Sequence, residues 1–447
     1  MNVNYDKIIR GGTLVSLVGE VKVDIAIDGE RIAAIGNLGS SSGGEEIDAT
    51  GLHIMPGVID TQVHFREPGN EYKEDLASGS LAAVMGGVTA VFEMPNTNPT
   101  TSTVEAIEDK LNRAKGRMWC DHAFYVGATK DNAHDLPELE RMPGTAGVKI
   151  FMGASTGDLL VDDDENLREV MKFGVRRVAV HCEDEPRMQE RLGERVPGDP
   201  SSHPIWRDEE TALRATKRIV TIAMEEARPI HVLHVTTAEE MEWLHKIKAE
   251  AGGLVSVETT PQHLSLSAPD CYERLGTLAQ MNPPIRSARH MPGLWDAITN
   301  LTVDVLGSDH APHTREEKAK PYPNSPSGMP GVQTLLPVML DHVAHGRLSL
   351  ERLVDLTSAG AARIFGLTDK GILREGGHAD LTIVDLQKKW TVTEDWAKSK
   401  CGWSPFMGDT LTGKPVGTII RGHRVMWEDE LIGSAAGEPI RFDSTCD

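Results

Sequence analysis

The sequence predicts an α/β protein, a (β/α)8 TIM-type barrel carrying a small β-sandwich domain built from both chain termini. Three observations carry that reading. Eight apolar, β-rich runs alternate with helix-period stretches over about 300 residues, the usual size of such a barrel with insertions. Both chain ends are instead strand-rich and punctuated by turn signals. No Gly-rich phosphate turn follows the first of the eight runs, as a doubly wound open sheet would require.

Taken in order, residues 5–35 read as strand–turn–strand, with Asp28-Gly29 as a hairpin turn. Residues 36–46, GNLGSSSGGEE, read as a loop by composition. The eight runs are 52–64, 90–96, 121–128, 146–152, 176–182, 229–236, 254–260 and 303–309. Helix-period stretches between them include VEAIEDKLNRAKG, ENLREVMKFG, DEETALRATKRIVTIAMEEA and AEEMEWLHKIKAEAG. HADLTIVDL (378–386) and GTIIRGHRVMWEDE (417–430) return to strand chemistry and are expected to pair with the N-terminal strands. The expected division is 1–52 and 366–447 for the β domain and tail, and 53–365 for the barrel.

Composition narrows the partners. A formal net charge of −21 argues against nucleic acid and anionic membranes, yet one local arginine can still hold a small anionic substrate. No apolar run approaches a membrane span, and MNVNYDKIIRGG lacks a signal-peptide core, so a cytoplasmic address is the expectation. Cys120, Cys182, Cys271, Cys401 and Cys446 are odd in number and scattered, which reads as reduced thiols.

The chemistry lies at the ends of the runs. His64 ends run one, Lys149 lies in run four and His181 ends run five; His234 sits near the end of run six, and Asp309 ends run eight. Any one histidine there is readily a hydrogen-bonded structural residue, and Asp309 could simply cap a helix. In a barrel, however, these ends share one mouth, so five strands deliver metal-capable groups to one place. Imidazole and carboxylate suit zinc or a similar divalent ion. Gln62 shares a strand face with His64. An ammonium cannot bind a cation, so Lys149 is expected to react with carbon dioxide and offer carbamate oxygens to one or two ions.

PGVIDTQVHFREPG (56–69), MPNTNP (94–99), GVKIFM (147–152), VHCED (180–184), HVLHVTT (231–237), NPPIR (282–286) and GSDHAPHT (307–314) together resemble the dihydroorotases, the cyclic amidases of the amidohydrolase superfamily. The resemblance spans roughly residues 5–430 and implies a metal-assisted, reversible hydrolysis of dihydroorotate to N-carbamoyl-aspartate. It implies His64, Lys149, His181, His234 and Asp309 as ligands, with Asp309 also moving the proton. Arg66 would grip the substrate carboxylate, with Asn96, Asn282 and His313 as further contacts. The bland alternatives are a rim ion pair of Arg66 with Glu67 or Glu71, and turn capping by the two asparagines. The loop PNSPSGMPG (323–331) would bring backbone groups to the substrate ring. A homo-oligomer is expected, and association with aspartate transcarbamoylase is left open.

Two positions depart from the family pattern. Gln62 stands where the first histidine of His-x-His is usual, and an amide oxygen is the poorer ligand. Gln262 stands where a second histidine is frequent, and no role is assigned to it. Two other functions therefore remain open: a non-catalytic scaffold, and a hydantoinase- or allantoinase-type amidase whose substrate lacks the ring carboxylate.

Overall fold

Side-chain alternation decides what each barrel strand buries, and it sorts the apolar residues into an inner and an outer set. The computed structural model describes residues 3–153 and 157–443. The N-terminal strands are β1 (Asn4–Ser16), β2 (Gly19–Asp28), β3 (Arg31–Gly36), β4 (Ser42–Asp48) and β5 (His53–Pro56). The barrel follows as β6 (Val58–Val63), β7 (Val88–Glu93), β8 (Asp121–Gly127), β9 (Thr145–Phe151), β10 (Val178–His181), β11 (Ile230–Val232), β12 (Val255–Thr259) and β13 (Val305–Leu306). The C-terminal strands are β14 (Leu381–Thr391), β15 (Thr410–Ile420), β16 (His423–Trp427) and β17 (Glu430–Leu431).

The eight barrel strands pair in chain order and all in parallel. The ring closes sparsely, through a bridge between Val63 and His310 and the His64 N–H donating to the His310 carbonyl at 2.7 Å. Val148, Ile150, Val178, Val180, Val255 and Val257 join the helices in the large outer core. Ala179, which alternates with Val178 and Val180, joins an inner cluster with Ala146, Tyr125, Phe92, Phe365 and Phe442. Each expected helix is present, for example Val104–Ala114 and Glu209–Glu225, and each begins at a side-chain cap: Thr103, Asp163, Asp208 and Thr237.

Both termini meet in one nine-stranded sheet, ordered β17-β16-β15-β14-β5-β1-β2-β3, with β4 on the first half of β1. The sheet reaches past position 52, because His53–Pro56 pairs within it. Gly29 has φ +56° in the two-residue turn joining β2 to β3. Of residues 36–46, Gly36 ends β3 and only 37–41 form the loop; β4 then runs parallel to β1. Here glycine serves close approach: a Cβ on Gly43 would lie 2.8 Å from the Glu45 carbonyl oxygen and 3.0 Å from the Ile8 nitrogen. Cys120, Cys182, Cys271 and Cys401 are buried and unbridged, while Cys446 lies outside the described residues. Among the described residues no helix is long and apolar enough to cross a membrane.

A buried ion cluster joins sheet to barrel. Lys370 Nζ lies 2.6 Å from Asp121 of β8 and 2.6 Å from Asp380, and Arg421 also pairs with Asp121. Burial opposes the Asp121 charge, but Lys370 and Arg421 more than compensate and lower its pKa. Asp121→Asn takes from Arg421 its closest carboxylate and from Lys370 one of its two, leaving Asp380, so we expect a loss of about 3–5 kcal/mol in urea unfolding. Because the folded pKa is depressed, this contribution is complete above the unfolded value of about 4. It vanishes as pH falls through the lowered native value; an unchanged midpoint at pH 7 would refute the role.

Candidate active site

One cavity of about 450 Å³ opens at the C-terminal ends of the barrel strands, and all ten site residues expected from the sequence line it. They are Gln62, His64, Arg66, Asn96, Lys149, His181, His234, Asn282, Asp309 and His313. Three hold the backbone in the left-handed region, where most side chains are strained by roughly 1–3 kcal/mol: Arg66 (φ 66°), His234 (35°) and Asp309 (46°). Strain gathered at strand ends around one cavity is the mark of positions chosen for where they point.

The donors fall into two pairs. His64 Nε2 lies 3.3 Å from Asp309 Oδ1, and His181 Nδ1 lies 3.1 Å from His234 Nε2. A tetrahedral zinc site with Zn–N of about 2.0–2.1 Å has an edge of about 3.3 Å, so both spacings suit two ligands of one ion. Burial lowers the pKa of all three imidazoles, which keeps them neutral as ligands must be. Their orientations are set from behind. Asn96 Oδ1 accepts from His64 Nδ1 at 2.7 Å, leaving Nε2 free to ligate. Glu183 Oε2 accepts from His181 Nε2 at 2.8 Å, leaving Nδ1 free.

No group of three or more His, Cys, Asp or Glu among the described residues is gathered tightly enough to hold an ion. Each pair is therefore short of the three protein ligands that a catalytic zinc needs. Lys149 is the residue common to both, its charge acting on Asp309 and on His181 and His234. It is 1% exposed and forms no ion pair among the described residues; its Nζ sits 4.5 Å from the Phe151 ring centroid. Burial pulls its pKa down to about 7. A neutral amine is the form that reacts with carbon dioxide, and the carbamate so formed would give each pair its missing oxygen.

Gln62 donates from Nε2 to Asp309 Oδ1 at 2.9 Å, while its Oε1 is buried without a partner. The amide thus steadies Asp309. Gln62→His would place an imidazole nitrogen there, and we expect metal affinity to rise about 10–100-fold in chelator competition. Unchanged affinity would place position 62 outside the ligand set. Gln262 points away, donating to the Ser308 carbonyl at 2.7 Å.

The opposite wall presents donors. Arg66 pairs with neither Glu67 nor Glu71, since Glu67 goes to Arg117 at 2.7 Å and Arg113 reaches Glu71. Its guanidinium donates to the Pro312 carbonyl at 3.2 Å and lies 3.2 Å from His313 Nε2. Lys73 Nζ, a donor only, sits 3.2 Å from His313 Nδ1, so the ring proton is on Nε2, which also faces the Ser327 carbonyl at 3.0 Å. Two N–H groups thus sit side by side, a setting that an anionic oxygen completes. His203 Nε2 faces both the Met281 carbonyl (3.1 Å) and Asn282 Oδ1 (2.9 Å), so it donates, and the Asn282 amide nitrogen is left for a ligand.

The amidohydrolase family model matches residues 53–425. The chain belongs to the amidohydrolase family. This amidohydrolase is 37% identical over 440 residues to a dihydroorotase of Halobacterium salinarum, covering 97% of the chain and 100% of that protein. An allantoinase of Salmonella paratyphi B is 34% identical over 94% of each chain. The solved L-hydantoinase (dihydropyrimidinase) of Arthrobacter aurescens superposes with a TM-score of 0.93 at 31% identity, over 98% of this chain and 100% of that one. Arg207 and His203, left unassigned by the sequence, also line the amidohydrolase cavity, and Glu183, equally unassigned, is fully buried behind His181. Arg207 binds Glu183 through two bonds (2.9 and 2.5 Å), so an ion pair buttresses His181. The one signal for Glu183 was its spacing two residues beyond His181.

Proposed function

We propose that this chain is a dihydroorotase, hydrolysing the cyclic amide of dihydroorotate reversibly to N-carbamoyl-aspartate. The observation that carries the reading is the Arg66 guanidinium, which makes no ion pair among the described residues and is set beside His313 in the cavity that holds both donor pairs and Lys149. His64, Asp309, His181, His234 and carboxylated Lys149 would hold one or two zinc ions. Such an ion would lower the pKa of bound water towards about 7 and polarise the ring carbonyl. Arg66 and His313 grip the ring carboxylate, and the Asn282 amide donates to the ring. Asp309 accepts the water proton at its carboxylate and returns it to the departing ring nitrogen.

The hydantoinase and allantoinase relatives leave one rival substrate class, which lacks that carboxylate. Arg66→Ala separates them. We expect kcat/KM for dihydroorotate to fall at least about a hundredfold, through the loss of a charged contact. Any hydantoin turnover should move far less. Equal loss on both substrates, or hydantoin preferred by the parent protein, would overturn the assignment. A protein that binds no metal under zinc loading and is inert would favour the scaffold instead.

A further inference from the structure

Lys318 is buried to 1% exposure, at the end of the short helix Arg315–Lys318. It makes no ion pair among the described residues. Instead its Nζ reaches three backbone carbonyls: Gln280 at 3.0 Å, Pro326 at 2.9 Å and Gly328 at 3.0 Å. An ammonium has three N–H donors, and here all three are used on main chain. Burial pulls its pKa to about 7, while the three carbonyls favour the charged form. An unpaired buried cation is costly, so its presence calls for a reason.

The carbonyls it gathers belong to two walls of the active-site cavity. Pro326 and Gly328 lie in the loop 323–328, and Gln280 precedes Asn282. Gln280 reinforces the join: its Nε2 donates to the Ser325 carbonyl and to Ser327 Oγ, each at 3.0 Å. The Gly328 N–H donates to the Gln280 carbonyl at 2.9 Å. Ser327 in turn faces His313 Nε2, which lies beside Arg66.

We propose that Lys318 is a positioning residue, whose ammonium locks the loop 323–328 onto Gln280 and thereby sets where Ser327 holds His313 beside Arg66. The proposal rests on the reading above, in which Arg66 and His313 grip a substrate carboxylate. It places the effect on binding, since Lys318 touches neither the donor pairs nor Asp309.

The test uses Lys318→Ala and the stem-filling Lys318→Met, both zinc-loaded. KM for dihydroorotate should rise about tenfold or more, with kcat within about threefold. Orotate, a planar ring carboxylate, should weaken in calorimetry by the same factor. Propylammonium should restore KM in Lys318→Ala, whereas trimethylpropylammonium, with no N–H donor, should not. Hydrogen exchange in a peptide covering 321–331 should quicken in both variants. Unchanged KM, a loss confined to kcat, equal rescue by both cations, or unchanged exchange would each overturn the proposal. If the parent protein neither turns over dihydroorotate nor binds orotate, the substrate reading fails, and exchange in 321–331 alone decides the role of Lys318.

Discussion

Lys149→Ala should empty the site of metal and lower dihydroorotate turnover by at least about a thousandfold, because it removes the one group both donor pairs share. The pairs supply two donors each, His64 with Asp309 and His181 with His234. Without a shared oxygen, neither makes a closed set. The chemistry of the lysine depends on its protonation. At an ordinary pKa of about 10.4, roughly one amine in 2,500 is neutral at pH 7. With the pKa pulled to about 7, about half is neutral, so carboxylation needs no further activation. The metal-free variant should meanwhile melt no lower than the metal-free parent. An unpaired buried ammonium is a cost, and Lys149→Met, which fills the stem, should melt higher. Metal content and turnover therefore fall together while melting does not. Intact mass under carbon-dioxide-replete native conditions should show the parent one carbon dioxide heavier. Metal content equal to the parent in Lys149→Ala would sink both the shared ligand and the carbamate.

What the sequence makes legible follows from which interactions leave a periodic trace. Barrel strands buried on both faces appear as short apolar runs, and the last residues of those runs fall at one mouth by topology alone. That is how His64, Lys149, His181, His234 and Asp309 could be placed together without coordinates. Residues that act through orientation leave no such trace. Arg66 and Glu67 are neighbours in sequence, and a rim ion pair between them is the bland alternative to a substrate contact. The left-handed backbone at Arg66 sends the two side chains apart, Glu67 to Arg117 and Arg66 to the cavity. Arg207 and His203 come from the long connection between β10 and β11, whose short helices carry no strong period. The contacts of Lys318 are all to carbonyl oxygens, which every residue possesses, so no side-chain pattern announces them. β4 was hidden for a related reason, its glycines reading as a loop when they serve close packing against β1.

Asp309→Asn is the second large effect, an expected fall in kcat of roughly 100- to 10,000-fold, the range for losing a positioned acid–base group. Asparagine is the right replacement for physical reasons. It tolerates the left-handed backbone at φ 46° as aspartate does, so it adds no strain that alanine would bring. Its carbonyl oxygen can still accept from Gln62 Nε2 and face His64 Nε2. It cannot take up a proton. The grip of Arg66 and His313 lies on the other wall, so KM for dihydroorotate should stay within about threefold. Asp309 is also half of a donor pair, and a weaker ligand would itself lower activity. The two losses separate in the Gln62→His background, where metal affinity should be about 10–100-fold higher. If kcat stays low there with metal measured at the parent level, the missing function is proton transfer. If refilling the metal restores turnover, Asp309 acts as a ligand alone, and the proton must leave through another group.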